Sequence, residues 1–106
     1  MRDRAVLARD VAQHFGIPVT LTSGYRSCNF QRELRQKWER GLSRWPANRP
    51  GFSGHNWGLA WDSTVAPEHQ AAWNTIREYL GFRVPRNDVI HAEVPGWETL
   101  VPLGRC

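Results

Sequence analysis

The chain has 106 residues, 41% of them hydrophobic and 23% charged, with six Trp and a formal net charge of +4. That allows one modest core, burying roughly 60–70% of the surface of the unfolded chain, and is too aromatic for a disordered tail. No apolar run approaches the roughly 18–20 residues of a membrane span, and the scattered basic residues form no nucleic-acid signature, so neither membrane insertion nor nucleic-acid binding is expected.

Residues 3–15 predict an amphipathic helix. Leu7, Val11 and Phe15 recur at helical spacing with Ala8 and Ala12 beside them, and Gly16 and Pro18 supply the stop. The opening residues carry charge through every turn, which is wrong for a signal peptide, so synthesis in the cytoplasm is expected. Residues 19–26, rich in β-branched and aromatic side chains, predict a strand turning at Gly24. Residues 29–40 fit a second helix, with Phe30, Leu34 and Trp38 on one face, Ser27 or Asn29 as cap and Gly41 as stop. Residues 41–58 hold four Gly and two Pro without a period, a long connection of the kind that is usually functional or disordered.

Residues 60–65 have strand character. Pro67 and Glu68 open a third helix that turns Ala72, Trp73, Ile76, Tyr79 and Leu80 inward and ends at Gly81. Residues 89–94 alternate as a strand, with Ile90, Ala92 and Val94 on one face and Val89, His91 and Glu93 on the other. This order predicts an α+β fold in a single domain over residues 1–106: a small antiparallel sheet with about three helices packed around it. A monomer is expected.

Cys28 and Cys106 allow one bridge at most, which excludes a disulfide framework and a four-Cys zinc module. Two unpaired thiols are the plainer expectation. The positive charge suits an anionic wall polymer, a nucleic acid or an acidic membrane face without choosing among them.

Chemistry concentrates in two places. The aperiodic segment delivers Ser53, His55 and then Asp62, and further on comes Asp88-Val-Ile-His91-Ala-Glu93. Two His and one Asp around Zn²⁺, with a fourth position open to water, form a catalytic set, because a closed site leaves no place for substrate. A further carboxylate beside that water can take its proton. Each residue also has a plainer reading: a hydrogen-bonded core His, an Asp at a turn, an Asp in a loop. Spacing alone does not decide between them.

Ser53-x-His55-x-x-Gly58-x-Ala60-x-Asp62 resembles the S-x-H-x-x-G-x-A-x-D signature of the zinc D-alanyl-D-alanine carboxypeptidase family, which includes vancomycin-resistance D,D-peptidases and the L-alanyl-D-glutamate endopeptidases of phage endolysins. Ser23-Gly-Tyr25-Arg26-Ser27 followed by Gln31, and Asp88-x-x-His91-x-Glu93, resemble two further elements of that family in the same order.

The resemblance implies that His55, Asp62 and His91 hold one Zn²⁺, that Asp88 is the general base, and that Arg26 stabilises negative charge on the substrate. Glu93 is a candidate acceptor for a ligand imidazole N–H. Ser53, Gln31 and Tyr25 are candidates to touch substrate or a ligand, Ser53 being equally a turn hydroxyl. The implied function is hydrolysis of a peptidoglycan stem peptide. The leading expectation is an endolysin-like L-Ala–D-Glu endopeptidase that reaches the wall after release, because Asp88 stands where Glu is more usual and the chain is small. A D-Ala–D-Ala carboxypeptidase or dipeptidase is the alternative, and an inactive, metal-containing wall-binding module is the alternative of another class. In an ideal strand residues 88 and 91 point to opposite faces, so for both to serve one site the regular strand must begin after Asp88. Trp61 is expected in the core, and packing is the expectation for Trp57 and Trp97.

Overall fold

A computed structural model describes residues 2–106. It has the expected α+β order: helix α1 (Arg2–His14), strand β1 (Thr20–Ser23), helix α2 (Cys28–Glu39), strand β2 (Ala60–Thr64), helix α3 (Gln70–Tyr79) and strand β3 (His91–Glu93). The strands form one antiparallel sheet in the order β1-β2-β3. Short 3-10 turns precede β2 (Gly54–Trp57) and α3 (Pro67–His69), and another follows β3 (Trp97–Thr99).

The sheet separates core from site. Side chains alternate along a strand, so Trp61 and its partner Ala92 go to one face, while Ala60, Asp62, His91 and Glu93 go to the other. On the first face, α1 and α3 cover a core of Ala5, Ala8, Ala12, Trp61, Trp73 and Phe82, among others. Trp61 meets Trp73 and Phe82 edge-on, with ring centroids 5.9 and 5.2 Å apart. The Trp73 indole N–H donates to Ser63 Oγ at 2.9 Å, so the buried ring leaves no polar atom unpaired.

The helix faces differ from expectation. α1 turns Ala5, Ala8 and Ala12 inward and leaves Leu7 and Phe15 more than half exposed. A stripe of Ala lets a helix approach the sheet closely, and Leu7, beside Ala8, is then rotated out, as is Phe15 just past the helix end. On α3, Ala72 and Tyr79 face solvent while Arg77 is fully buried. α2 does not use Phe30 as a buried contact; Gln31 is its one buried residue among those described. That helix leans on the following connection, through Gln31 Nε2 to Asn48 O (2.8 Å) and Arg35 Nη1 to Ala47 O (3.1 Å). Ser27 caps its start, accepting from the Phe30 amide at 3.1 Å. Cys28 and Cys106 are joined in a disulfide rather than left as two thiols. The two are far apart along the chain, so no local pattern advertised the pair.

Candidate metal and active site

The site grows from the register of the sheet. Ser23 pairs with Asp62 across β1 and β2, and Asp62 pairs with His91 across β2 and β3. Directly opposed residues in an antiparallel sheet project to the same face, so register alone sets Asp62 beside His91. The 3-10 turn brings the third member. Its Ser53 cap accepts from the His55 amide at 3.2 Å, and Gly58 closes it at φ +69°, a left-handed conformation that glycine adopts without strain. Gly54 is needed for closeness: a Cβ there would lie 2.9 Å from Ala60 Cβ.

The three ligand-capable atoms converge. His55 Nε2 lies 3.2 Å and His91 Nδ1 3.3 Å from Asp62 Oδ1. Tetrahedral zinc with bonds of about 2.0–2.1 Å needs donors about 3.3 Å apart. The protonation pattern points the same way. His55 Nδ1 sits 2.7 Å from Gly24 O, which only accepts, so Nδ1 carries the proton. His91 Nε2 sits 2.8 Å from Glu93 Oε1 and likewise donates. A neutral imidazole has one N–H. With both N–H groups committed elsewhere, the remaining nitrogens turn lone pairs toward a carboxylate oxygen, and such a cluster requires a cation, either a proton or a metal.

The charges agree. Without a metal, burial opposes ionisation of Asp62, but a hydrogen bond from whichever facing imidazole nitrogen carries the extra proton, together with the nearby Arg26, outweighs it and holds the carboxyl well below the usual range. Burial also disfavours protonated His91, yet Asp62 and Glu93 reverse this and raise its pKa. Arg26 Nη2 binds the other Asp62 oxygen at 3.1 Å, and its Nε reaches Ser23 Oγ at 3.3 Å. Arg26 is therefore at the site, braced against Asp62.

The other sequence candidates fall in different places. Glu93 is buried, held by His91 and by the Trp97 indole N–H at 3.1 Å. Ser53 is buried and used as the turn's cap, the plainer of its two readings. Gln31 is buried against the 41–58 connection and does not line the cleft beside Asp62. Tyr25 is exposed and lines a cleft of ≈ 650 Å³ that runs from Asp62 past Ser23 to Val6 and Arg9 of α1. Asp88 is exposed and begins a turn: His91 N donates to Asp88 O at 3.0 Å, and β3 starts only at His91. Trp61 is in the core, Trp97 is buried, and the Trp57 indole donates to Gly51 O at 3.0 Å.

Sequence reasoning missed the groups that orient the ligands. The Gly24 carbonyl fixes the His55 tautomer, and Trp97 holds Glu93. Buried Asn56 ties two segments together, accepting from Gly51 N (3.0 Å) and donating to Arg26 O (3.0 Å). Gly24 and Asn56 lie inside the quoted patterns, but a backbone carbonyl leaves no mark on a sequence.

A family profile described as D-alanyl-D-alanine carboxypeptidase (VanY) matches residues 4–82. None of the curated proteins searched matches the chain. Among solved structures, the fold is similar to the LdcB LD-carboxypeptidase, with 26% identity and a TM-score of 0.69 over 92% of this chain and 64% of that one. It is similar to VanYB in complex with D-alanine-D-alanine, with 20% identity and a TM-score of 0.70 over 92% of this chain and 71% of that one. A third neighbour is a mutant of the vancomycin-resistance D,D-pentapeptidase VanY in complex with Zn(II), with 21% identity and a TM-score of 0.61 over 92% of this chain and 71% of that one. The chain thus spans less than two-thirds of the first of these proteins.

Proposed function

The chain belongs to the D-alanyl-D-alanine carboxypeptidase (VanY) family, and we propose on that premise that it hydrolyses a peptide bond in the stem peptide of peptidoglycan with the help of one zinc ion. The observation that carries the reading is the pair of imidazoles whose N–H groups are spent on Gly24 O and Glu93, leaving His55 Nε2 and His91 Nδ1 to face Asp62.

In this reading His55, Asp62 and His91 hold the ion. A Zn²⁺ ion held by them would supply Lewis acidity and lower the pKa of a water beside it toward neutrality. Asp88, across a tight turn from His91, takes the proton of the attacking water and passes it to the leaving amine. Arg26, permanently charged, offsets the negative charge that develops on the scissile carbonyl oxygen. Glu93 keeps His91 in the tautomer that leaves Nδ1 free. The cleft past Ser23, Tyr25 and Arg9 receives the peptide.

Two bonds compete as the target. Removal of a C-terminal D-Ala is favoured by the family's description and by the neighbour that holds D-alanine-D-alanine. Cleavage of L-Ala–D-Glu has Asp88 in its favour, and the first reading is the stronger. We take residues 1–106 as one catalytic unit acting on the wall, reached after release in the manner of an endolysin. The Cys28–Cys106 bridge supports action in an oxidising space.

The test is digestion of purified wall by the zinc-loaded protein, with mass analysis of the products. Free D-Ala identifies the carboxypeptidase, and new D-Glu amino termini identify the endopeptidase. Asp88→Asn is expected to keep its zinc and lose hydrolysis by about a hundredfold or more, whereas Asp62→Ala loses both. A wild-type protein that holds zinc and wall but releases nothing sinks the enzyme and leaves the inactive binding module.

A further inference from the structure

Arg77 is the one fully buried cation among the described residues, with 0% of its surface exposed, and nothing in the reaction above uses it. It forms no salt bridge with a described carboxylate; its neighbour Glu78 is turned to Arg86, 2.6 Å away. A buried charge without a counterion is costly, and an apolar side chain of similar volume would fill the space more cheaply. What surrounds the guanidinium is backbone. Arg77 Nη2 donates to Val89 O at 2.6 Å, and Nη1 makes longer contacts with His91 O (3.4 Å) and Ile90 O (3.5 Å). Asn74 Oδ1 holds Nη2 from behind at 2.7 Å, and the guanidinium stacks over Trp73 at 5.1 Å. Burial pulls its pKa down to about 10, so it remains a cation at neutral pH.

Those three carbonyls belong to one structure. Residues 88–91 form a hydrogen-bonded turn, closed by His91 N to Asp88 O at 3.0 Å. In an extended strand Asp88 and His91 would face opposite ways; the turn sets them at its two ends, close together. The price of the turn is three consecutive carbonyls directed inward, of which β2 satisfies only part, through Ser63 N to Ile90 O at 3.0 Å. A planar, multiply donating cation meets the rest.

We propose that Arg77 is a positioning residue for the candidate site: its buried guanidinium gathers the carbonyls of residues 89–91 and so fixes the turn that sets Asp88 and His91 side by side. The part of this that concerns Asp88 rests on the hydrolytic reading above; the part that concerns His91 does not.

Arg77→Lys keeps the charge and most of the length but loses the fork. In the full chain loaded with zinc, kcat on the wall peptide is expected to fall about tenfold or more with KM near wild type, and chelator competition to show zinc held about tenfold more weakly. In an Asp88→Asn background the kcat effect of Arg77→Lys should nearly vanish, because the group being positioned is already gone. A folded Arg77→Lys protein with wild-type kcat and zinc affinity overturns the proposal, and an undiminished kcat effect beside Asp88→Asn overturns the part that concerns Asp88. Should Arg77→Lys fail to fold, Asn74→Ala takes its place: zinc affinity about threefold weaker supports the proposal, and unchanged affinity overturns it. If the wild-type protein hydrolyses nothing, the hydrolytic reading fails by itself, and zinc affinity in these variants still decides the claim for His91.

Discussion

His91 works through both of its ring nitrogens, and this gives the site its expected pH response. Nε2 donates to Glu93 and Nδ1 faces Asp62, so without a metal the raised pKa leaves a proton on the ring above its ordinary range. The stability that this protonated ring contributes is complete below the unfolded pKa of about 6.5 and is lost as pH rises through the higher folded value. Asp62 works in the opposite sense: its contribution is present above the unfolded value of about 4 and is lost as pH falls through the depressed folded value. The metal-free protein should therefore be most stable between these limits. Zinc needs Nδ1 bare, so apparent affinity should weaken as pH falls through the raised pKa of His91. Titration calorimetry in buffers of different ionisation enthalpy should find about one proton released per ion at about pH 6. Glu93→Gln should move that release to lower pH. Zinc uptake with no proton release at that pH would contradict the arrangement.

At the scale of elements, the 3-10 turn and β2 act as one piece, because Gly54 lies against Ala60 and Trp97 with no room for a side chain. Gly54→Ala forces that contact apart. It should cost about 1–3 kcal/mol, the usual cost of overpacking, and because His55 is the next residue it should also weaken zinc binding. Thermal unfolding with and without zinc measures both, and an unshifted melting temperature would show that the turn gives way freely. The 3-10 turn was legible only in part, since residues 41–58 read as an aperiodic connection and Ser53 as a possible turn hydroxyl, whereas the late start of β3 followed from requiring Asp88 and His91 to share a site. The core face of α1 was legible only in part: Ala8 and Ala12 were placed on it, but periodicity weighs Leu7 and Phe15 above them and passes over Ala5, whereas close packing on the sheet selects the small residues. Arg77 was not legible either: a cation in a helix reads as solvated until the carbonyls that bury it are known.

At the scale of the whole molecule, the disulfide joins Cys106 to the start of α2, two residues beyond Arg26. On its way the C-terminal segment crosses the site-bearing connection, with Gly104 N donating to Gly51 O at 3.0 Å. A Cβ at Gly104 would lie 2.8 Å from the Phe52 ring, so segment and connection are closely packed. α1 contributes mainly alanines to the core and α2 almost nothing apolar, so the bridge makes up part of what a larger core would supply. It closes a loop with a sequence separation of 78, and constraining the unfolded chain to that extent contributes typically 2–4 kcal/mol. For a chain of this length that corresponds to about 10–20 °C in melting temperature. Reduction of the metal-free protein, or the paired change Cys28→Ser with Cys106→Ser, should therefore lower the melting temperature by this amount. Zinc should restore part of the loss, because it binds the folded state alone. If the reduced and oxidised proteins melt together, the bridge is incidental and the packing of Phe52 on Gly104 already holds residues 104–106 in place.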